Sequence, residues 1–278
     1  MRRLLLTALI AVRAGLPATA AEAAMPPGVR TNLAAAVVFI PEGANATPTT
    51  TFDLTLHLHG APAVVERNFI AARSPGILAN VTLPGLSAVY ARHFATTNAF
   101  WEIVRDAADR LRSEGGPPPL LRRLTVTSFS AGFGGVRELL KDEAIFERID
   151  TLVMADSIYA GFAGDPAERR VDPANMAGFL RFAREAVAGR KRLLITHTQL
   201  ATPTYASTVE TANHLIARLG GERTPANEDW GNGLRLLNRF QRGQCEILGF
   251  AGATGEDHLQ HLRQLARWLR RASEDPAD

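Results

Sequence analysis

Residues 123–141, RLTVTSFSAGFGGVRELLK, decide how the chain is read. Leu124 and Val126, with Thr125 and Thr127 between and after them, favour an extended strand, whereas Val136, Arg137, Glu138, Leu139 and Leu140 favour a helix. The small residues Ser128, Ala131 and Gly132 crowd the turn that joins the two. Ser130 stands in that turn. A hydroxyl there emerges at the carboxyl end of a sheet, and the N–H groups after it point out of a helix N-terminus towards any negative charge that develops. That order suits acyl transfer.

Working outward, strand-like apolar runs recur at 33–40, 52–58, 77–83, 124–127, 152–155, 193–196 and 247–250. Helical stripes separate the later ones. Phe100, Ile103, Val104, Ala107 and Leu111 form one, and Phe179, Leu180, Phe182 and Ala183 a second. A third, with Val209, Ala212, Leu215, Ile216 and Leu219, stops at Gly220-Gly221, and Leu262, Leu265, Ala266 and Leu269 mark a fourth. Strands alternating with helices of this length predict βαβ units, hence an α/β fold with a mainly parallel, buried sheet flanked by helices on both faces. The connection GGPPP at 115–119 is too short to separate two cores, so residues 21–278 are expected to form one domain. Two polar, turn-rich segments interrupt the alternation and predict small cap insertions near 159–176 and 222–240. In open α/β sheets, loops on the carboxyl side of the strands surround the ligand crevice.

The pentad Ser128-Phe129-Ser130-Ala131-Gly132 resembles the nucleophile elbow of the α/β-hydrolase superfamily, written G-x-S-x-G. Ser128 replaces the first glycine, a sterically mild change, and Gly132 keeps the second close contact. The resemblance implies a serine hydrolase of esterase or lipase type, in which a histidine activates Ser130 and a carboxylate orients that histidine. The superfamily order is serine, acid, histidine. His258 follows the last strand-like run and fits the base, with His261 one turn further on as the alternative. The acid is most often found after the strand that here reads RLLITHTQLATP, but no Asp or Glu occurs there before Glu210. Asp156 ends the preceding strand, DTLVMADSIYAG, and some lipase-like members place their acid at that position. An Asx-turn at Asp156-Ser157 is the competing reading.

Upstream, FDLTLHLHGAP ends in His59-Gly60, resembling the superfamily's HG motif. On that match the N–H groups of Ala131 and Ala61 form the oxyanion hole, and Gly60 permits close backbone approach. His59, Phe129, Ser157, Tyr159 and His197 follow or flank strand ends and are candidates to line the pocket. His57 and His59, two apart on a strand, leave open a metal-dependent hydrolase, although no further ligands appear at motif spacing. A non-catalytic binding protein on the same fold is the other alternative. The glycines at 132, 134 and 135 do not make a dinucleotide loop, because Arg137 stands where G-x-G-x-x-G needs its third glycine. No cofactor is expected.

Residues 1–20, MRRLLLTALIAVRAGLPATA, read as a signal peptide, with two early arginines, an apolar stretch and an Ala-Thr-Ala cleavage site. Removal of Arg2, Arg3 and Arg13 leaves 28 basic residues against 28 acidic ones, so no nucleic-acid partner is expected. The expected location is periplasmic or secreted, or cytoplasmic if the segment is not cleaved. Cys245, the single cysteine, excludes an internal disulfide and opens an apolar run that should bury it. No lipid-anchor cysteine lies near the leader, so no stable membrane anchor is expected, and the partner is a small-molecule or polymeric ester or amide substrate.

Overall fold

The computed structural model describes residues 25–43 and 50–274. The leader read at 1–20 lies outside them. In chain order the elements begin with β1 (Gly28–Asn32), β2 (Val37–Pro41), β3 (Thr51–Leu58), α1 (Pro62–Ala71), β4 (Ile77–Val81), α2 (Ser87–Phe94) and α3 (Thr97–Arg110). They continue with β5 (Leu120–Phe129), α4 (Phe133–Leu139), α5 (Glu143–Arg148), β6 (Thr151–Ala155), α6 (Pro173–Val187), β7 (Arg192–His197) and α7 (Thr208–Arg218). The chain closes with β8 (Thr224–Asp229), β9 (Arg235–Arg242), β10 (Cys245–Phe250), α8 (Gly255–Arg263) and α9 (Leu265–Ser273).

The ten strands of the described residues share one sheet in the order β1-β2-β4-β3-β5-β6-β7-β10-β9-β8. The block from β4 to β10 is parallel throughout, and antiparallel pairs flank it on both sides. Alternation along the parallel strands sends side chains to two cores. Leu54, Leu56, Leu58, Ala79, Leu152, Met154 and Ile195 pack with residues of α2 to α7. Leu78, Phe129, Val153, Ala155 and Leu194 face the other way, onto Val65 and Phe69 of α1 and Trp268 and Leu269 of α9. The sheet is therefore covered on both faces, as the uninterrupted apolar runs predict. From β3 the chain crosses through α1 to β4 on one side, then returns to β5 on the other. That reversal puts the crevice expected of an open α/β sheet at the carboxyl ends of β3 and β5.

Two sequence expectations differ from the structure. The run at 33–40 does not make one strand: the Leu33 N–H bonds to the Ala36 carbonyl in a turn, and β1 and β2 form a hairpin around it. Residues 222–240 do not fold over the sheet. They form the β8–β9 hairpin, which extends the sheet beyond β10. Its outer strand is exposed and polar, so it lacks the apolar signature of a core strand. Within the segment 159–176, residues 162 and 171 pair in a short bridge, and Ala160 pairs with Ala206. Arg169, at the end of this loop, forms a bidentate ion pair with Glu210 in the first turn of α7. The loop is thereby tied to α7. Cys245 is buried in β10, which pushes its thiol up to about 12. No helix among the described residues is long and apolar enough to cross a membrane.

Candidate active site

β5 ends in extended backbone at Phe129, Ser130 turns to φ 47°, and a 3₁₀ turn over Ser130–Gly132 runs into α4. A left-handed backbone costs a serine about 1–3 kcal/mol, a strain that clusters at functional sites. Two packed neighbours leave room for nothing larger around it. A Cβ on Gly132 would lie 2.2 Å from the Leu58 carbonyl oxygen and 2.7 Å from Ser128 Oγ. Ser128, in place of the glycine of the elbow pattern, has a hydrogen-bond partner of its own. Its hydroxyl lies 2.6 Å from Ser157 Oγ, and Ser157 Oγ in turn donates to the Ser130 carbonyl at 2.9 Å. The departure from the glycine pattern thus adds a hydrogen-bonded brace under the turn.

β6 delivers Asp156 one strand away, also left-handed at φ 44° and fully buried. Four donors fill its carboxylate. Oδ2 lies 2.7 Å from His258 Nδ1 and accepts from Thr198 Oγ1 at 2.8 Å. Oδ1 accepts from the Thr198 N–H at 3.1 Å and from Thr208 Oγ1 at 2.5 Å. Burial by itself would raise the Asp156 pKa, yet the His258 hydrogen bond, the fields of His261 and His258 and the Thr208 hydroxyl together hold it well below the ordinary carboxylate range. Asp156 is therefore an ionised acceptor, and His258 presents Nδ1–H to it. With Nδ1 turned to the carboxylate, Nε2 is the ring nitrogen outside this bond. His258 sits in the first turn of α8, which is opened by a capping box between Thr254 and Asp257. Its ring stacks on Phe129, the residue before Ser130, with centroids 4.5 Å apart. Glu256 and Asp257, its chain neighbours, serve other partners: Glu256 accepts from Gln260 and Arg263, and Asp257 caps the helix.

His261 is not at the crevice. It is fully buried, its Nδ1 lies 2.7 Å from Thr196 Oγ1, and its ring stacks against Trp268. Burial lowers its pKa to about 4, against the opposing field of Asp156. One turn of helix separates a ring at the sheet end from a ring inside the core, and only His258 bonds to Asp156. Two of the expected pocket residues, Ser157 and His197, are fully buried as well. Ser157 braces the elbow from beneath, and His197 donates from Nδ1 to the Thr198 carbonyl at 2.8 Å while burial lowers its pKa to about 4. Tyr159 packs on Phe133 and Tyr205 next to the turn, with its hydroxyl 3.4 Å from the Asp156 carbonyl oxygen.

The His59-Gly60 segment follows β3. His59 takes φ 70°, and its Nδ1 lies 2.9 Å from the Tyr90 hydroxyl, which also accepts from the Leu83 N–H. Its ring stacks at 6.2 Å on the Phe129 ring that also stacks with His258. A Cβ on Gly60 would meet Val65 Cγ2 at 2.8 Å and His57 Nε2 at 2.9 Å, so the backbone there runs against the packed face of α1. Ala61 is the extended residue that opens α1, ahead of Pro62 at the first helical position. Ala131, the other expected oxyanion donor, is buried in the elbow. His57 does not pair with His59 as a metal ligand would. Its Nδ1 lies 2.7 Å from Thr127 Oγ1 and its Nε2 3.2 Å from the His59 carbonyl, so both nitrogens are engaged. Burial lowers its pKa to about 3. Among the described residues no group of three or more His, Cys, Asp or Glu is arranged to hold a metal ion.

Left-handed residues thus end three adjacent parallel strands: His59 after β3, Ser130 after β5 and Asp156 after β6, with His258 arriving from beyond β10. By sheet order and elbow the fold is that of the α/β-hydrolases. No protein-family model and no curated protein matches the chain. Among solved structures it is similar to an α/β hydrolase enzyme from the metagenome of Lake Arreo, at 11% identity and a TM-score of 0.48, covering 90% of this chain and 86% of that one. A soluble variant of monoglyceride lipase from Saccharomyces cerevisiae, in complex with a substrate analogue, has 12% identity, a TM-score of 0.42 and coverage of 93% and 99%. A carboxylesterase from Bacillus subtilis has 10% identity, a TM-score of 0.43 and coverage of 90% and 91%. Roles for the residues of the present chain rest on its own geometry.

Nothing in the sequence marks Thr198 or Thr208 as a partner of Asp156. Thr198 stands directly after β7 and Thr208 at the start of α7, positions where a threonine reads as an ordinary strand end and helix start.

Proposed function

We propose that this protein is a serine hydrolase that cleaves an ester through an acyl-enzyme intermediate. The supporting observation is the bond between His258 Nδ1 and Asp156 Oδ2, which fixes the tautomer whose Nε2 can accept a proton, beside an elbow that presents Ser130. In this reading Ser130 Oγ attacks the carbonyl carbon as His258 Nε2 takes its proton. Negative charge on the former carbonyl oxygen is met by the N–H groups of Ala131 and Ala61. The tetrahedral species collapses, His258 returns the proton to the leaving alcohol, and the acyl group remains on Ser130. Water, deprotonated by the same imidazole, then releases the acid and restores the hydroxyl. Asp156 stays ionised throughout, orients the ring and stabilises its charged form.

Esters come before amides because an alkoxide is the better leaving group, and carboxylesterase chemistry is the first activity to assay. The metal-dependent alternative is disfavoured by the engaged nitrogens of His57. A non-catalytic reading offers no reason for a strained serine beside a tautomer-fixed histidine. The deciding experiment is labelling with a fluorophosphonate probe followed by mapping of the modified peptide. Modification at Ser130 that disappears in Ser130→Ala supports the assignment, and a folded protein that resists the probe overturns it.

A further inference from the structure

A catalytic carboxylate must do more than lie near its histidine. It has to offer one particular oxygen, and an Asp side chain can rotate. Around Asp156 that freedom is removed by two threonines from separate elements. Thr198, fully buried after β7, donates both its N–H and its hydroxyl. The direction of its hydroxyl is set, because the same oxygen accepts from the Leu200 N–H at 3.2 Å and so turns its own hydrogen to Oδ2. Thr208, buried at the start of α7, donates its hydroxyl to Oδ1. The two grips fall on different carboxylate oxygens, which fixes the carboxylate plane as well as its position.

Thr208 is itself held in place from outside. Ser207 and Glu210 form the capping box of α7, with Glu210 accepting from the Ser207 N–H at 2.8 Å and from its hydroxyl at 2.6 Å. Glu210 is clasped by Arg169 from the loop that precedes α6. The first turn of α7, and so the Thr208 hydroxyl, therefore has a defined position relative to β6.

We propose that Thr198 and Thr208 are positioning residues that lock the Asp156 carboxylate so that Oδ2 faces His258 Nδ1. The inference rests on the serine-hydrolase reading, since it assigns the lock a part in activating Ser130. A carboxylate stripped of these donors is more basic, holds the imidazolium proton more firmly and is free to turn. Other titratable groups also face the pair: His261 from α8, His197 from β7, His59 from the end of β3, Tyr159 after β6 and Asp257 beside His258. None of these is altered by changing a threonine.

The test uses the full chain with Thr198→Val, Thr208→Val, Thr198→Ser and Thr208→Ser. The rate of fluorophosphonate labelling at Ser130 is followed against pH. The valine variants are expected to label on the order of tenfold to a hundredfold more slowly, with the acid-side limb of the profile moved to higher pH. The serine variants, which keep the hydroxyl, should follow the parent. If a valine variant does not fold, Cys at the same position, a weak donor of similar size, replaces it. Folded valine or cysteine variants with the parent's rate and pH profile overturn the inference while leaving the serine assignment intact. A parent that does not label at Ser130 overturns both.

Discussion

Asp156 Oδ2 and His258 Nδ1 meet at 2.7 Å although 102 residues separate them along the chain. The contact orients the ring, because a carboxylate on Nδ1 determines which ring nitrogen carries hydrogen. His261, three residues on, spends its Nδ1 on a threonine hydroxyl inside the core.

Replacing either partner should therefore be far more damaging than replacing its neighbour. Asp156→Asn keeps the shape but reverses the hydrogen bond, and is expected to lower turnover of an ester such as p-nitrophenyl acetate by roughly 10⁴-fold. His258→Ala should fall as far, whereas His261→Asn should act mainly on stability. Equal turnover in His258→Ala and His261→Asn would refute the assigned base.

The brace beneath the elbow predicts a non-additive pair. Ser157→Ala leaves the buried Ser128 hydroxyl without its 2.6 Å partner, at a cost of about 1–3 kcal/mol. Ser128→Ala in the same chain removes the orphaned group and should recover part of that loss. Urea denaturation of the two single variants and the double variant measures the coupling, and strictly additive values would show that the hydroxyls do not act together.

Gly132→Ala should be among the most destabilising substitutions in the molecule. The added methyl carbon would fall 2.2 Å from the Leu58 carbonyl oxygen, on backbone in the centre of the sheet that cannot yield. A loss of at least about 3 kcal/mol is expected, read as a lower urea midpoint; an unchanged midpoint would contradict the close approach of elbow and strand.

Acid should weaken the fold before it reaches the carboxylates. His57, His197 and His261 are fully buried, and burial lowers them from 6.5 to about 3, about 4 and about 4. Their pKa values are lower in the folded than in the unfolded chain, so the unfolded chain binds more protons between the two. The stability they contribute is complete above pH 6.5 and is lost as the pH falls towards 4 and, for His57, towards 3. Each contributes a slope of up to about 1.4 kcal/mol per pH unit. Asp156, also depressed, adds a loss only below its ordinary value of 3.8. Urea midpoints between pH 8 and pH 4 test this, and a midpoint independent of pH over that range would rule out three neutral buried imidazoles.

Much of the site was legible because its parts are local. The strand-to-helix change at Ser130, the His59-Gly60 ending of a strand and the acidic residue ending the next apolar run each show within about ten residues. The β8–β9 hairpin was not legible as strands, because an edge strand buries little and so needs no apolar alternation. The bonds of Thr198 and Thr208 to Asp156 were not legible for a related reason: the partner lies 42 and 52 residues away, and nothing in the threonines' own neighbourhoods records it.

The sequence by itself determined an α/β chain with a mainly parallel sheet and the points where that chain turns at strand ends, since hydrophobic period and turn chemistry are properties of neighbouring residues. Only the tertiary structure decided that His258 rather than His261 reaches Asp156, that His57 and His197 turn inward, and that two threonines grip the carboxylate. Those outcomes depend on how the helices seat on the sheet. One turn of α8 carries a ring from the crevice into the core, and packing across the whole domain fixes that turn.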